Sequence, residues 1–302
     1  MHSSSLHSLN SDRGLSKPSR VAWFALNWLN NLFPHAQLDP DLDIRNFVLS
    51  DQELDLHWSK ISTKSSPARR LSDLFWHVQP WSDISREIGG EIHALEVGCG
   101  NGRYGVLLEG LLGDSLHRYV GLDLKTHPGW DQNAGNPKFN LIKANCNSIE
   151  PYLEGVNLII TQSALEHFDQ DLLFFEQVAK YVHCTQKPVL QIHLMPSAGC
   201  LTTFPWHGVR QYTPRTVSRI TRLFEAGTRK ILYLLGSRQC NKVHRKYITM
   251  PNFFRNMDLR ENRTAEYEDQ VFKAIKQDIA HPSRKEACFH ALVLQSNYGN
   301  FE

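Results

Sequence analysis

The sequence predicts an α/β protein built on a doubly wound, mostly parallel sheet with helices on both faces. Three observations carry that expectation. From about residue 66 onward, short apolar runs alternate with helix-length amphipathic segments, the pattern of a sheet covered on both sides. The first apolar run ends in alternating glycines, "HALEVGCGNGRYGVLL" (His93–Leu108), where a strand passes into a helix. The second closes on a carboxylate, Asp123.

In chain order, residues 1–20 are polar and serine-rich and read as a disordered tail. Residues 21–65 form an N-terminal extension whose first part, "VAWFALNWLNNLF" (Val21–Phe33), is an amphipathic helix. It is shorter than the roughly 20 apolar residues that span a bilayer, and no small-residue cleavage site follows it. Asn27, Asn30 and Asn31 fall on one narrow face. The helix either docks on the main domain or rests on a membrane surface with Trp23, Phe24, Trp28 and Phe33 as anchors. The main domain covers 66–302. Helix-like spacing over Ser66–Ile88 is interrupted at Pro80. Strands are expected at Glu91–Val97, His117–Leu124, Phe139–Ala144, Val156–Gln162 and Pro188–Met195, with two more at "KILYLLG" and "CFHALVLQS". Helices are expected at "RYGVLLEGLL", Asp171–Val182 and Thr213–Phe224, the last opening with a Thr cap and Pro at its first position. A polar stretch at about 238–286 reads as a lid-like insertion with one helical piece, "AEYEDQVFKAIKQDIA".

A chain of 302 residues with 41% hydrophobic composition can bury a large core, and a net charge of +2 says little about partners. The six cysteines are scattered singly, which reads as reduced thiols rather than a disulfide frame or zinc site and places the protein in the cytoplasm.

The glycines determine the ligand class. A dinucleotide turn wants its third glycine five residues after the first. Here that position is Arg103, and the third glycine, Gly102, stands four after Gly98. With Glu96 two residues upstream, the run resembles the first motif of class I S-adenosylmethionine-dependent methyltransferases, Glu/Asp-x-Gly-x-Gly-x-Gly. The resemblance covers roughly Ile92 to Met195, more loosely the final strands, and none of residues 1–65. It implies a Rossmann-like, seven-stranded sheet with an antiparallel last strand, and adenosylmethionine as cofactor. It also implies that Glu96 helps hold the cationic amino acid end, within a turn comprising Gly98, Cys99, Gly100, Asn101 and Gly102. Asp123, 25 residues beyond Gly98, would accept the ribose hydroxyls in charge-assisted hydrogen bonds beside Leu124. Asn145 would meet the adenine amine, with Cys146, Asn147 and Ser148 as neighbours. Ser163 opens the segment after the fourth expected strand, "SALEHFDQD", which also resembles the family.

In open α/β sheets the reactants meet beyond the carboxyl ends of the strands. Glu166, His167 and His207 are the catalytic candidates, with His207 favoured as general base; Arg210 and Tyr212 are candidates to bind the acceptor. His193, inside a strand, reads as a core histidine. Some quinone-pathway O-methyltransferases hold a metal through Glu-x-x-Glu-His at the Ser163–His167 position; here Ser163 replaces the first Glu, so no metal is expected. Arg215, Arg219 and Arg222 share one helix face, opposite the apolar Val217, Ile220 and Phe224. That face is either solvated or meets an anionic acceptor; nucleic acid ranks last, for want of interleaved aromatics and glycines. The expected activity is methyl transfer to a small or glycan-like acceptor, at an oxygen. The alternative is a non-catalytic adenosylmethionine-binding partner protein.

Overall fold

The computed structural model describes residues 2–7, 9, 15–205 and 208–299. Among these residues, eight strands form one sheet: β1 (Leu42–Asn46), β2 (Ile92–Val97), β3 (Leu116–Asp123), β4 (Phe139–Lys143), β5 (Leu158–Gln162), β6 (Val189–Pro196), β7 (Arg229–Leu235) and β8 (Phe289–Ser296). Their spatial order is β1-β7-β8-β6-β5-β2-β3-β4. All pairings are parallel except those of β8, which runs antiparallel to both β6 and β7. This is the Rossmann-like arrangement with an antiparallel last strand, and all seven expected strands are present. The eighth, β1, comes from the N-terminal extension and lengthens the β7 edge.

Among the described residues, twelve α-helices accompany the sheet. They are α1 (Lys17–Asn30), α2 (Asp51–Trp58), α3 (Pro67–His77), α4 (Trp81–Glu87), α5 (Arg103–Leu112), α6 (Gly129–Asn133), α7 (Asp171–Thr185), α8 (Pro214–Thr221), α9 (Arg238–His244), α10 (Met250–Arg255), α11 (Leu259–Asn262) and α12 (Thr264–Ala280). Pro80 ends the first helical stretch and caps α4.

The parallel strands are apolar along their whole length because both faces are covered. In β5, Leu158 and Ile160 pack with Leu71 and Phe75 of α3 and Val271 and Ile275 of α12. Ile159, between them, joins Phe174 and Val178 of α7 and Val217 and Ile220 of α8 on the opposite face. The stretch at 238–286 is thus less a lid than a helical layer. Tyr267, Val271, Ala274 and Ile275 are buried in the core.

The N-terminal residues are more ordered than their composition predicts. The helix starts at Lys17, Pro18 occupying a first-turn position behind the Ser16 cap. Upstream, Ser4 and Ser5 are buried, and Ser4 binds the Asp171 carboxylate through both its amide and its hydroxyl. The α1 helix docks through Trp23, which is 0% exposed, packs on the domain and is no surface anchor, and through the asparagines Asn27 and Asn30, each 1% exposed. The basic face of α8 explains why. Arg215 donates to the Asn30 carbonyl (2.6 Å), Arg219 to that of Ser4 (2.8 Å) and Arg222 to those of Gln37 and Leu38 (2.6 and 2.8 Å). The face expected to meet solvent or an anion binds carbonyl dipoles of the N-terminal tail and extension instead.

Candidate active site

The chain leaves β2, travels outward to β3 and β4, and returns to β5 on the other side of β2. Ligands bind at such a reversal, beyond the carboxyl ends of the two diverging strands. Here Val97 leads into the glycine turn and Gln162 into Ser163, and two adjoining cavities open between them.

The first cavity, ≈ 320 Å³, is bounded by Gly98 and Gly100, Asp123 and Leu124, Asn145 to Asn147, and Ser163 to Asp169 in part. Gly98 takes φ +79°, and a Cβ there would lie 2.3 Å from the Ala164 Cβ. Gly100 takes φ +53° and would meet nothing within 4 Å. The first glycine lets two turns touch; the second leaves bare backbone facing open space. Asp123 organises the turn. Its Oδ2 accepts from the Gly100 amide (2.9 Å), its Oδ1 from the Lys125 amide (3.1 Å), and His127 Nε2 lies 3.2 Å from Oδ1. A carboxylate has about four acceptor positions, so some remain for a ligand. Asn145 lines the same cavity, but its amide oxygen is bent back to accept from the Asn147 amide at 2.9 Å. Ser163 adopts φ +51°, a strained value for a side-chain-bearing residue, at the border of both cavities.

The second cavity, ≈ 550 Å³, shares Gly98, Gly100 and Ser163 with the first and reaches Glu96, Cys99, Asn101, Gln162, Lys64, Arg69, Arg103 and Arg260. Glu96 is 1% exposed. Burial lifts its pKa to about 8, against the opposing pull of the Tyr119 hydroxyl that it accepts from and of Arg69. Arg69 donates to the Tyr104 hydroxyl (2.8 Å), which donates to Asp73 (2.7 Å); Arg103 pairs with the other oxygen of Asp73 (2.9 Å). Burial lowers the Arg69 pKa, but Tyr104, Asp73 and Glu166 outweigh it and hold the guanidinium above its ordinary range. Arg69 therefore faces the cavity with a phenol as its hydrogen-bond partner, able to take a ligand carboxylate.

Most of the expected cofactor residues converge: Glu96, Gly98, Cys99, Gly100, Asn101, Asp123, Leu124, Asn145, Cys146 and Ser163 all line one or both cavities. Gly102 instead forms the left-handed N-cap of α5. The catalytic candidates separate. His167 lines the first cavity, whereas Glu166 is buried and lines neither. His207 lies outside the described residues. His193 is a core histidine: buried beside Thr161 (3.0 Å), its pKa lowered by burial to about 3. Arg210 and Tyr212 do not reach an acceptor. They are 1% and 0% exposed, and both hold the 165–171 segment, Arg210 through the Phe168 carbonyl (2.6 Å) and Asp171 (3.5 Å). Tyr212 does so through the Leu165 carbonyl and Asp171, each at 3.1 Å. Sequence reasoning missed Arg69 and Gln162. Nothing in "SPARRL" distinguishes a cavity-facing arginine from its neighbour Arg70, which is buried against Trp58 and Tyr267.

Fold and site together define a Rossmann-like α/β protein with a carboxylate-flanked glycine turn at its topological switch point. No family model and no curated protein matches the chain. Among solved structures, it is similar to the plantazolicin methyltransferase BamL in complex with a triazolic desmethylPZN analog and SAH. That likeness has a TM-score of 0.49 and 10% identity over 93% of this chain and 99% of that one. It is also similar to a SAM-dependent methyltransferase from Archaeoglobus fulgidus, with TM-score 0.44 and 14% identity over 82% and 100% of the two chains. The [4+2]-cyclase SpnF follows with TM-score 0.44 and 12% identity over 72% and 78%.

Proposed function

We propose that the chain is an S-adenosylmethionine-dependent methyltransferase acting on an oxygen of a small or glycan-like acceptor. One observation carries the reading: two carboxylates, Glu96 and Asp123, flank a turn whose backbone is bare at Gly100 and already hydrogen-bonded to Asp123. A nucleoside with hydroxyls at one end and an ammonium at the other matches that spacing of charge. When bound, adenosylmethionine supplies a methyl group activated by its sulfonium sulfur.

The chain's own residues do the positioning, which supplies much of the rate in such a displacement. Asp123 accepts the ribose hydroxyls, its orientation preset by the Gly100 and Lys125 amides. Glu96 takes the ammonium and Arg69 the carboxylate of the amino acid end. Asn145 and Cys146 border the base. Ser163, which borders both cavities, and Gln162, on the second, would line the approach of an acceptor. His167, on the cavity wall, takes the acceptor's proton. Lys64, Arg69, Arg103 and Arg260 around the second cavity favour an acceptor carrying negative charge.

Calorimetric titration with adenosylmethionine tests the first half. Saturable heat is expected, and none with the wild-type chain would rule the cofactor out. Incubation with methyl-labelled cofactor and a metabolite extract tests the second by mass spectrometry. Binding without any labelled product would leave the non-catalytic alternative.

A further inference from the structure

We infer that the molecule docks on an anionic lipid surface through two apolar patches bordering residues 198–205, which follow β6 at the carboxyl edge of the sheet. The first patch is α1 and its exit. This helix buries Trp23 with its asparagines and leaves another part of its apolar surface outward: Val21 is 59% exposed, Trp28 53%, Leu29 48% and Phe33 65%. The second is α10 and its exit, where Met250 is 49% exposed, Phe253 57%, Phe254 68% and Met257 41%.

Both patches are anchored to the same segment. The α1 helix packs against the 198–202 turn. Thr249, just before α10, donates to the Thr203 carbonyl (2.7 Å), and Arg245 donates to the Thr202 hydroxyl (3.2 Å).

Charge selects the occupant. Residues 238–257 contain Arg238, Lys242, Arg245, Lys246 and Arg255 and no Asp or Glu; residues 15–38 contain Lys17 and Arg20 and again no acid. Carboxylates beside these stretches are already engaged: Glu266 with Lys246, Asp258 with Arg260, Asp39 with Lys230, and Asp278 with the Ser237, Gln239 and Cys240 amides. A second copy docking by the same face would set these cations against themselves. An anionic plane neutralises them while exposed aromatic side chains enter the headgroup boundary. No helix among the described residues is long and apolar enough to cross a membrane, so the contact is one of lying on the surface. The inference is independent of what the cleft binds.

Vesicle co-sedimentation of the full chain tests it, with phosphatidylcholine alone and with phosphatidylcholine mixed with phosphatidylserine. Wild type is expected to sediment with the mixed vesicles, to stay behind with the neutral ones and to be released by high salt. The pairs Trp28→Ser/Phe33→Ser and Phe253→Ser/Phe254→Ser should each weaken binding about tenfold or more. Arg255→Gln should weaken it about fivefold. Their melting temperatures should stay close to wild type, because these side chains face solvent; this separates lost docking from lost folding. A wild type that ignores anionic vesicles would overturn the inference, as would variant pairs that sediment unchanged. So would a solution dimer that the same substitutions dissociate, which would assign the patches to a second copy.

Discussion

Asp123 shows how much one side chain can be asked to do. It accepts from the Gly100 and Lys125 amides and keeps further acceptor capacity. Hydrogen bonds to a charged group contribute about 1.5–3 kcal/mol each. Asp123→Ala is therefore expected to weaken adenosylmethionine at least tenfold in calorimetry, and unchanged affinity would remove Asp123 from the site. Glu96 makes a pH prediction. Its folded pKa, about 8, lies above the ordinary 4.5, so the folded state holds the extra proton. Its neutral form contributes fully below pH 4.5, and that contribution is lost as pH rises toward 8. Melting temperature should fall across this window in wild type and less steeply in Glu96→Gln. A ligand ammonium favours the ionised carboxylate, so the cofactor's stabilising effect should grow over the same window. Parallel melting curves for the two proteins would count against a buried, proton-holding Glu96. Both residues were legible in sequence because a strand's end is a local feature, and the glycine spacing dates the turn that follows it. Arg69 was not, since its approach to Glu96 depends on how α3 lies across the sheet.

Among the elements, α8 departs furthest from its pattern. Its apolar stripe was read correctly: Val217 and Ile220 are buried. Its basic face looked like solvent or an anion site, yet it clamps carbonyls of the N-terminal extension. Replacing Arg215 and Arg222 together by Ala should cost about 1–3 kcal/mol in denaturant unfolding. It should also raise hydrogen exchange in α1 and β1. Unaltered exchange there would show the clamp to be passive. Nothing in the charge pattern of α8 distinguishes a carbonyl partner from an anion, because both are met by the same guanidinium donors. The α1 helix docks on the main domain, one of its two expected arrangements, but its periodicity did not say which face would be buried; Asn30 is on the face that Arg215 holds. Strand β1 escaped notice because "LDIRN" has only two apolar residues, enough for an edge whose partner, β7, supplies the ladder.

At the scale of the whole molecule, the N-terminal residues are tied to the main domain around a buried ion pair. Arg210 and Asp171 are almost fully enclosed, and the serines of residues 3–5 complete their hydrogen bonding. Breaking such a pair leaves a buried charge uncompensated, at about 3–5 kcal/mol. Arg210→Ala should therefore lower unfolding stability by roughly that amount. A loss confined to acceptor affinity, with stability intact, would restore its reading as a substrate ligand. Strand and helix order, the glycine turn and the carboxylate after β3 follow from the linear chain, since each depends on periodicity or on neighbours within a few residues. The pairing of Arg210 with Asp171, the inward turn of the α1 asparagines, the cation-lined second cavity and the outward apolar patches depend on long-range packing. Such contacts leave no periodic trace: a buried arginine and an exposed one are spelled alike, and only the packed fold removes water from one of them.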